Sequence, residues 1–349
     1  MYSDQKMLFI TGASRSGTTL MSVILRNHAD IVGLNELQYF GEFWDPRSDS
    51  TLDAERAKLA VATIFARQRQ GINVARPISE DINRAEALLR SLNEKSRDPS
   101  ELFAASVHQL AMESGKAIPC EQTPRNVFYA EALLDLYPNA YVIHMMRDPR
   151  AVMASQKHRW KRRRNATNKS AVPRSHTLRT WVNYHPYTVA RLWRGASAIA
   201  RQLQNHPRLS VVRFEDLLES PEATMRDLCE RIHIDYEPAM LDVGQINSSH
   251  QSSVGGARKG LHKDAIDKWK TELLPAEISI TERYCGLLME NFGYRVQEAV
   301  KESWFRELRY RLSYPLHIAG VFMVNPRRAL IQMRAILSKF GSSGSQTAT

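Results

Sequence analysis

Short uninterrupted apolar runs alternate along the chain with longer stretches whose apolar positions recur three and four residues apart. Residues 7–10 (MLFI) are continuously apolar, as in a strand buried on both faces. A loop containing glycine and serine follows over 11–17, and from Thr18 the spacing of Leu20, Met21, Ile24 and Leu25 predicts a helix with one apolar stripe. Residues 31–34 predict a second short strand. Between 51 and 114, Leu59, Ile64, Leu88, Phe103, Val107 and Leu110 sit among Arg, Glu and Gln in a helical pattern. Residues 116–119 predict another strand, and 127–136 a helix that ends before Pro138.

The clearest strand after the first is 141–146 (YVIHMM). A helix follows it, because Asp148 can cap and Pro149 suits the first helical position. A polar loop (161–176), a long helix (181–203), a strand (209–214) and a helix opened by Ser220-Pro221-Glu222 complete the main body. Residues 244–260 are rich in glycine and serine and read as a mobile loop. No internal repeat is visible. Strands alternating with helices imply an α/β fold with a central parallel sheet and helices on both faces.

Composition narrows this picture. The 349 residues suffice for a sizeable core without metal or disulfide staples, and 43% hydrophobic residues exclude a disordered chain. Three widely spaced cysteines, Cys120, Cys229 and Cys285, exclude a disulfide scaffold and paired-Cys zinc sites, and fit a reducing compartment. Three sites of the glycosylation pattern, at Asn165, Asn168 and Asn247, carry little weight because no export signal precedes them. No run approaches the roughly 20 apolar residues of a membrane span.

The net charge of +11 is concentrated in two places. Residues 157–164 (KHRWKRRR) contribute +6 and residues 301–339 another +6, so the remaining body is nearly neutral. The basic balance therefore does not point to a nucleic-acid partner. It says that two local segments can meet anions.

The strand–loop–helix at the N-terminus contains Gly12-Ala-Ser-Arg-Ser-Gly17-Thr18-Thr19, with the spacing of a phosphate-binding P-loop and Thr18 where such loops usually carry Lys. Backbone N–H groups of such a loop curl around a phosphate, and the helix N-terminus adds its dipole. Gly12 and Gly17 permit the tight path, the hydroxyls of Ser16, Thr18 and Thr19 can donate, and Arg15 brings a fixed charge. The alternative is an ordinary turn between strand and helix. The missing Lys weakens a kinase reading, since that Lys neutralises the terminal phosphates of a nucleoside triphosphate. Arg147-Asp-Pro-Arg-Ala-Val-Met-Ala-Ser155 again follows a strand and opens a helix. Arg147 lies at the strand's carboxyl end, where α/β sheets place ligands, and Ser155 lies about two turns along the helix.

SRSGTTL followed by RDPRAVMAS resembles the sulfotransferases that use 3′-phosphoadenosine-5′-phosphosulfate (PAPS), nearer to the bacterial, tyrosylprotein and carbohydrate-type branches than to the steroid/phenol branch. The resemblance implies a P-loop-type three-layer fold. It extends over most of residues 6–297, and the expected organisation is a domain at 1–297 with a helical acceptor-side insertion at about 45–115, a basic amphipathic helical extension at 298–340 and a disordered tail at 341–349. It implies that Arg15, Ser16, Gly17, Thr18 and Thr19 contact the 5′-phosphosulfate. Arg147 and Ser155 would take the 3′-phosphate, with Arg159 one turn further and Lys259, ahead of Trp269, in a late cofactor-closing segment. The product would be 3′,5′-adenosine diphosphate, and no metal is required.

Sulfuryl transfer needs a base for the acceptor hydroxyl and positive charge on the leaving phosphate. Arg15 fits the second role. Glu36, in Gly33-Leu-Asn-Glu36, matches the spacing of the catalytic glutamate in the tyrosylprotein branch, against the alternative of a helix-capping or surface carboxylate. His144 is a rival that lies mid-strand and reads as a packed core residue. Relatives commonly carry Lys two residues before the proline of Glu121-Gln122-Thr123-Pro124. Gln122 replaces it here, still able to donate to a sulfuryl or bridging oxygen but uncharged.

The basic run 157–164 reads either as a solvated loop or as an attractor for an anionic acceptor. Residues 315–340 can lie on a membrane surface, cover a groove or meet a dimer partner, and the chain reads as cytoplasmic, with peripheral contact at the inner face of a membrane in the first case. The expected activity is sulfuryl transfer to a carbohydrate or lipid-linked hydroxyl in preference to tyrosine. The alternatives are a P-loop nucleotide kinase and a catalytically weak nucleotide-binding relative.

Overall fold

The computed structural model describes residues 1–47, 50–71, 76–92, 97–159, 178, 181–244, 261, 263–297 and 304–324. Five strands form one sheet: β1 (Met7–Gly12), β2 (Ile31–Gly33), β3 (Ile118–Gln122), β4 (Ala140–Met146) and β5 (Leu209–Arg213). Their order is β2-β3-β1-β4-β5 and every pairing is parallel. The continuous apolar reading of β1 is explained by its environment: all six residues are buried, because helices cover both faces. Alternation then sorts the side chains. Leu8 and Ile10 join the core beneath α1 (Thr18–Arg26), with Met21, Ile24 and Leu25. Met7 and Phe9 point the other way, where Phe9 packs on Phe40, Phe103 and Tyr137 at ring-centroid distances of 6.0, 5.9 and 5.9 Å.

That second face is covered by α2 (Ala54–Gln70), α4 (Pro99–Glu113), α5 (Ala130–Leu136), α6 (Pro149–Lys157) and α7 (Pro186–Gln202), with α3 (Ser79–Ser91) packed on α2. After β5 come α8 (Phe214–Glu219) and α9 (Pro221–Arg231), then the short α10 (Asp264–Asp267) and α11 (Trp269–Glu272), α12 (Pro275–Asn291) and α13 (Trp304–Val324). All three cysteines are free and buried. The register pairs Ile10 with Gln122 and Gly12 with Met145, so β1, β3 and β4 end together. Their carboxyl edge is where the chain collects its polar chemistry.

Several boundaries differ from expectation. The strand expected at 116–119 runs over Ile118–Gln122, because the Lys116 ammonium is engaged with the carbonyls of Arg26, His28 and Ile31 and the ladder starts only at Ile118. The helix expected over 127–136 opens as a 3-10 turn, Pro124–Tyr129, before α5. The helix expected over 181–203 is interrupted: Trp181 and Val182 are helical, residues 183–185 are not, and α7 begins at Pro186, where the His185 ring accepts from the Tyr187 N–H as a cap. Phe214 belongs to α8 rather than to β5. The basic extension expected over 298–340 is helical over Trp304–Val324, with Pro315 inside it. The rest of that extension, the 341–349 tail, the 161–176 loop and residues 245–260 lie outside the described residues.

Candidate active site

Between β1 and α1 the backbone takes conformations that side chains oppose. Gly12 has φ +147°, and a Cβ there would come within 2.5 Å of the Met145 carbonyl oxygen on β4. Gly17 caps α1 with φ +95°, and a Cβ there would meet the Phe214 ring at 2.4 Å. Arg15, at the apex, holds φ +82°, a left-handed conformation that costs a non-glycine residue about 1–2 kcal/mol. The Ser16 N–H donates to the Ala13 carbonyl at 3.0 Å, while the Ser16 hydroxyl is buried and meets no hydrogen-bond partner among the described residues. A buried hydroxyl in that state loses about 1–3 kcal/mol unless a ligand satisfies it.

The second anion segment closes on this loop. Arg147, just past β4, donates from Nη1 to the Arg15 carbonyl (3.0 Å) and from Nη2 to the Ala265 carbonyl (2.8 Å), with its guanidinium 4.2 Å from the Phe214 ring centroid. Its Nε is buried and unpartnered among the described residues, and burial lowers its pKa from the ordinary arginine value. The Arg15 Nε donates to Ser155 Oγ at 2.9 Å, and Gln156 Nε2 to the Ser14 carbonyl at 3.3 Å. Arg15, Ser16, Arg147 and Ser155 therefore meet at one edge of the sheet.

Arg150 does something else. Its Nε and Nη2 grip the Asp148 carboxylate, Nη1 reaches Glu282 at 2.7 Å, and the guanidinium lies 4.0 Å from the Trp269 ring centroid. Asp148 caps α6 by accepting from the Arg150 N–H at 2.8 Å. The buried Asp–Arg–Glu set fixes where α6 starts and thus where Arg147 and Ser155 point. Lys157 departs from the solvated-loop reading. It is half-buried and donates to Glu277 Oε2 (2.7 Å) and the Glu272 carbonyl (3.0 Å). Arg159 is half-buried one turn beyond Ser155, while Lys259 and residues 160–164 lie outside the described residues.

Beside the loop, Gln122 ends β3. Its Nε2 donates to Thr18 Oγ1 (3.3 Å) and Thr19 Oγ1 (3.4 Å), so the uncharged amide orients the hydroxyls that open α1. Glu36 is half-buried in the segment after β2 and accepts from Gln38 Nε2 at 3.3 Å. That segment is clamped from two sides. Glu121 accepts from the N–H groups of Leu37 (3.0 Å) and Thr123 (3.1 Å), the Thr123 hydroxyl and Asn126 Nδ2 (2.9 Å). From α2, Arg67 Nη1 donates to the Leu37 carbonyl at 2.6 Å, and the Gln68 side chain accepts from the Asn35 N–H at 2.8 Å. Burial pushes the Glu121 carboxyl up to about 7 despite those donors, with the Glu36 charge adding to the rise. Sequence reasoning passed over Glu121; its signal was a carboxylate inside the buried parallel strand IPCEQ. His144 is a core residue as expected: it is buried and its pKa is lowered to about 4 by desolvation.

The Ser16 hydroxyl and the Arg147 Nε are both buried at this edge without a partner among the described residues. The model of the family described as "Sulfotransferase family" matches residues 8–238. The chain belongs to the sulfotransferase family.

Within that family, nodulation protein NoeE of Sinorhizobium fredii (strain NBRC 101917 / NGR234) is 27% identical over 306 residues, covering 82% of this chain and 65% of the relative. Carbohydrate sulfotransferase 5 of Mus musculus is 29% identical over 196 residues, 51% of this chain and 47% of the relative. The chain thus spans less than two thirds of the length of these curated relatives. Among solved structures, the sulfotransferase domain from the curacin biosynthetic pathway has a TM-score of 0.51 at 17% identity, over 84% of this chain and 99% of that one. The sulfotransferase domain from the Synechococcus PCC 7002 olefin synthase gives 0.51 at 19% identity, over 84% and 97%. These likenesses establish the fold, an α/β sulfotransferase architecture with a P-loop-like arrangement.

Proposed function

We propose that the protein moves the sulfuryl group of PAPS to an acceptor hydroxyl, with a carbohydrate or lipid-linked hydroxyl as the acceptor class. The observation that carries the reading is the interlock of two distant segments, Arg147 on the Arg15 carbonyl and Arg15 on Ser155, at the carboxyl edge of the sheet. The family membership favours it over the nucleotide-kinase reading. The carbohydrate preference is supported by the name of the murine relative.

The donor supplies an electrophilic sulfuryl group and a stable anionic leaving nucleotide. The residues of the chain do the rest. Ser16, Gly17, Thr18 and Thr19 hold the 5′-phosphosulfate, while Arg147 and Ser155 hold the 3′-phosphate, with Arg159 and Lys259 closing on the same nucleotide. The Glu36 carboxylate takes the proton of the acceptor hydroxyl as its oxygen bonds to sulfur and the bond from sulfur to the phosphate oxygen breaks. Arg15 offsets the charge that develops on that phosphate oxygen, and Gln122 keeps the Thr18 and Thr19 hydroxyls aimed at it.

Incubating the purified protein with labelled PAPS and a cell extract, then identifying the labelled product, tests the reaction. Glu36→Gln is expected to lower transfer by about 10²–10⁴-fold, the range for a general base, with 3′,5′-adenosine diphosphate affinity unchanged. Full activity in that variant removes the base assignment. Label transfer from ATP but not from PAPS overturns the function.

A further inference from the structure

Helix α13 lies on the body by one side only. Glu307 pairs with Arg283 of α12 at 2.8 Å, the Tyr310 hydroxyl reaches Glu277, Ser313 bonds the His185 ring, and the His317 ring bonds Thr188 at 2.9 Å. The opposite side faces outward and is apolar throughout. Trp304, Phe305, Leu308, Leu312, Pro315, Leu316, Ala319 and Met323 are all exposed, Leu312 by 70%, Leu316 by 76% and Met323 by 82%. At about 100° per residue these eight positions fall within an arc of roughly 120°.

The rim of that face is basic. Arg306 and Arg309 flank one side, Arg311 the other, and all three are exposed. The single carboxylate of the helix, Glu307, is turned inward and neutralised by Arg283. No described helix is long and apolar enough to cross a membrane. An aromatic and aliphatic stripe bordered by arginines instead matches a helix lying in the plane of a lipid interface.

We propose that α13 docks this protein flat on an anionic lipid surface, its stripe from Trp304 to Met323 in the acyl boundary and Arg306, Arg309 and Arg311 against the headgroups. Charge selects this occupant over the others. A second copy would bring the same arginine-rimmed face against itself, placing like charges together. The chain beyond Val324 adds Arg327, Arg328, Arg334 and Lys339 with no acidic residue, so it increases the attraction to anions instead of neutralising the rim. The expectation of membrane contact over 315–340 thereby extends back to Trp304.

The full chain is to be sedimented with vesicles of phosphatidylcholine alone and of phosphatidylcholine mixed with phosphatidylglycerol. Binding to the anionic vesicles, weakened by salt, is expected, with little binding to the neutral ones. The triple substitution of Arg306, Arg309 and Arg311 by Gln is expected to lower partitioning by about two orders of magnitude, at about 1 kcal/mol for each arginine. Leu312→Glu with Leu316→Glu is expected to abolish binding while thermal unfolding stays as in the parent, because both side chains are exposed. Absence of vesicle binding, or unchanged binding by the glutamate variant, overturns the proposal. So does a dimer in solution that the glutamate variant dissolves, which assigns the face to a second copy. None of these readouts uses sulfuryl transfer, so their failure is separate from failure of the proposed reaction.

Discussion

At Arg147 a guanidinium sits in a buried niche with two carbonyl partners, an aromatic face and an unpartnered Nε. A charge in such a place loses hydration that neutral carbonyls restore only partly. Arg147→Met is therefore expected to change the stability of the ligand-free protein by no more than about 1 kcal/mol. The same substitution should weaken 3′,5′-adenosine diphosphate binding by about 2 kcal/mol, the size of a charge-assisted contact. Thermal shift with and without nucleotide separates the two terms, and an undiminished ligand-induced shift in the variant contradicts the second anion site. Glu121 makes the complementary case. Its folded-state pKa of about 7 lies above its unfolded value, so the stability it contributes is complete at low pH and is lost as pH rises from about 4.5 toward 7. Glu121→Gln should flatten that slope in urea titrations, and should slow transfer more than it weakens nucleotide binding because Glu121 holds the segment of Glu36. A variant retaining the parent slope would show that another group titrates there. That Arg15, Arg147 and Ser155 stand at strand–helix junctions was legible in the sequence, and the fold brings the three together. Glu121 was passed over although it stands inside a buried strand, since its part as a clamp shows only through the four donors that the fold brings to it.

The strands were read where both faces are buried, as in β1 and β4, and less well where a strand carries polar side chains. In β3 the expected run stopped at Pro119, three residues short of Gln122, because Glu121 and Gln122 look like loop residues until their partners are in place. The turn from β1 into α1 shows the opposite case, in which local sequence dictates local geometry. Gly17 combines a left-handed φ with direct contact to the first residue of α8, so one position sets both the helix cap and the distance to Phe214. The ring of Phe214 also carries the Arg147 guanidinium. Gly17→Ala should therefore strain the loop and displace that ring, costing about 1–3 kcal/mol of stability. Nucleotide affinity should fall as well, through loss of the platform under Arg147. Calorimetric titration alongside thermal unfolding measures both, and a variant that binds as tightly as the parent would show that the loop tolerates the shift.

Contacts between elements far apart in the chain tie the polar edge of the sheet to the outward helix, and no periodicity announces them. Glu277, in the first turn of α12, is fully buried and binds Lys157 at the end of α6 (2.7 Å), the Tyr184 hydroxyl ahead of α7 (2.8 Å), the Tyr310 hydroxyl of α13 (3.2 Å) and its own Leu274 N–H (2.8 Å). The basic run beginning at Lys157 reads in isolation as a solvated stretch, yet its first residue is the counter-charge of this carboxylate, which lies 120 positions later. Glu277→Gln keeps the shape and leaves an amide oxygen able to accept from Lys157 and the Leu274 N–H while its NH2 faces the Tyr184 and Tyr310 hydroxyls, so what it removes is the counter-charge of Lys157. Losing the charge of a pair whose ammonium is half-buried is expected to cost about 1–3 kcal/mol, which urea unfolding would register as a lower midpoint with an unchanged slope. Nucleotide affinity should fall less than in Arg147→Met, since Arg150 still anchors the start of α6 through Asp148 and Glu282. The two effects diagnose the architecture together. A loss under about 1 kcal/mol would make Glu277 a bystander at a solvated junction, and equal losses of affinity in the two variants would mean that α6 is positioned from its far end rather than from Asp148.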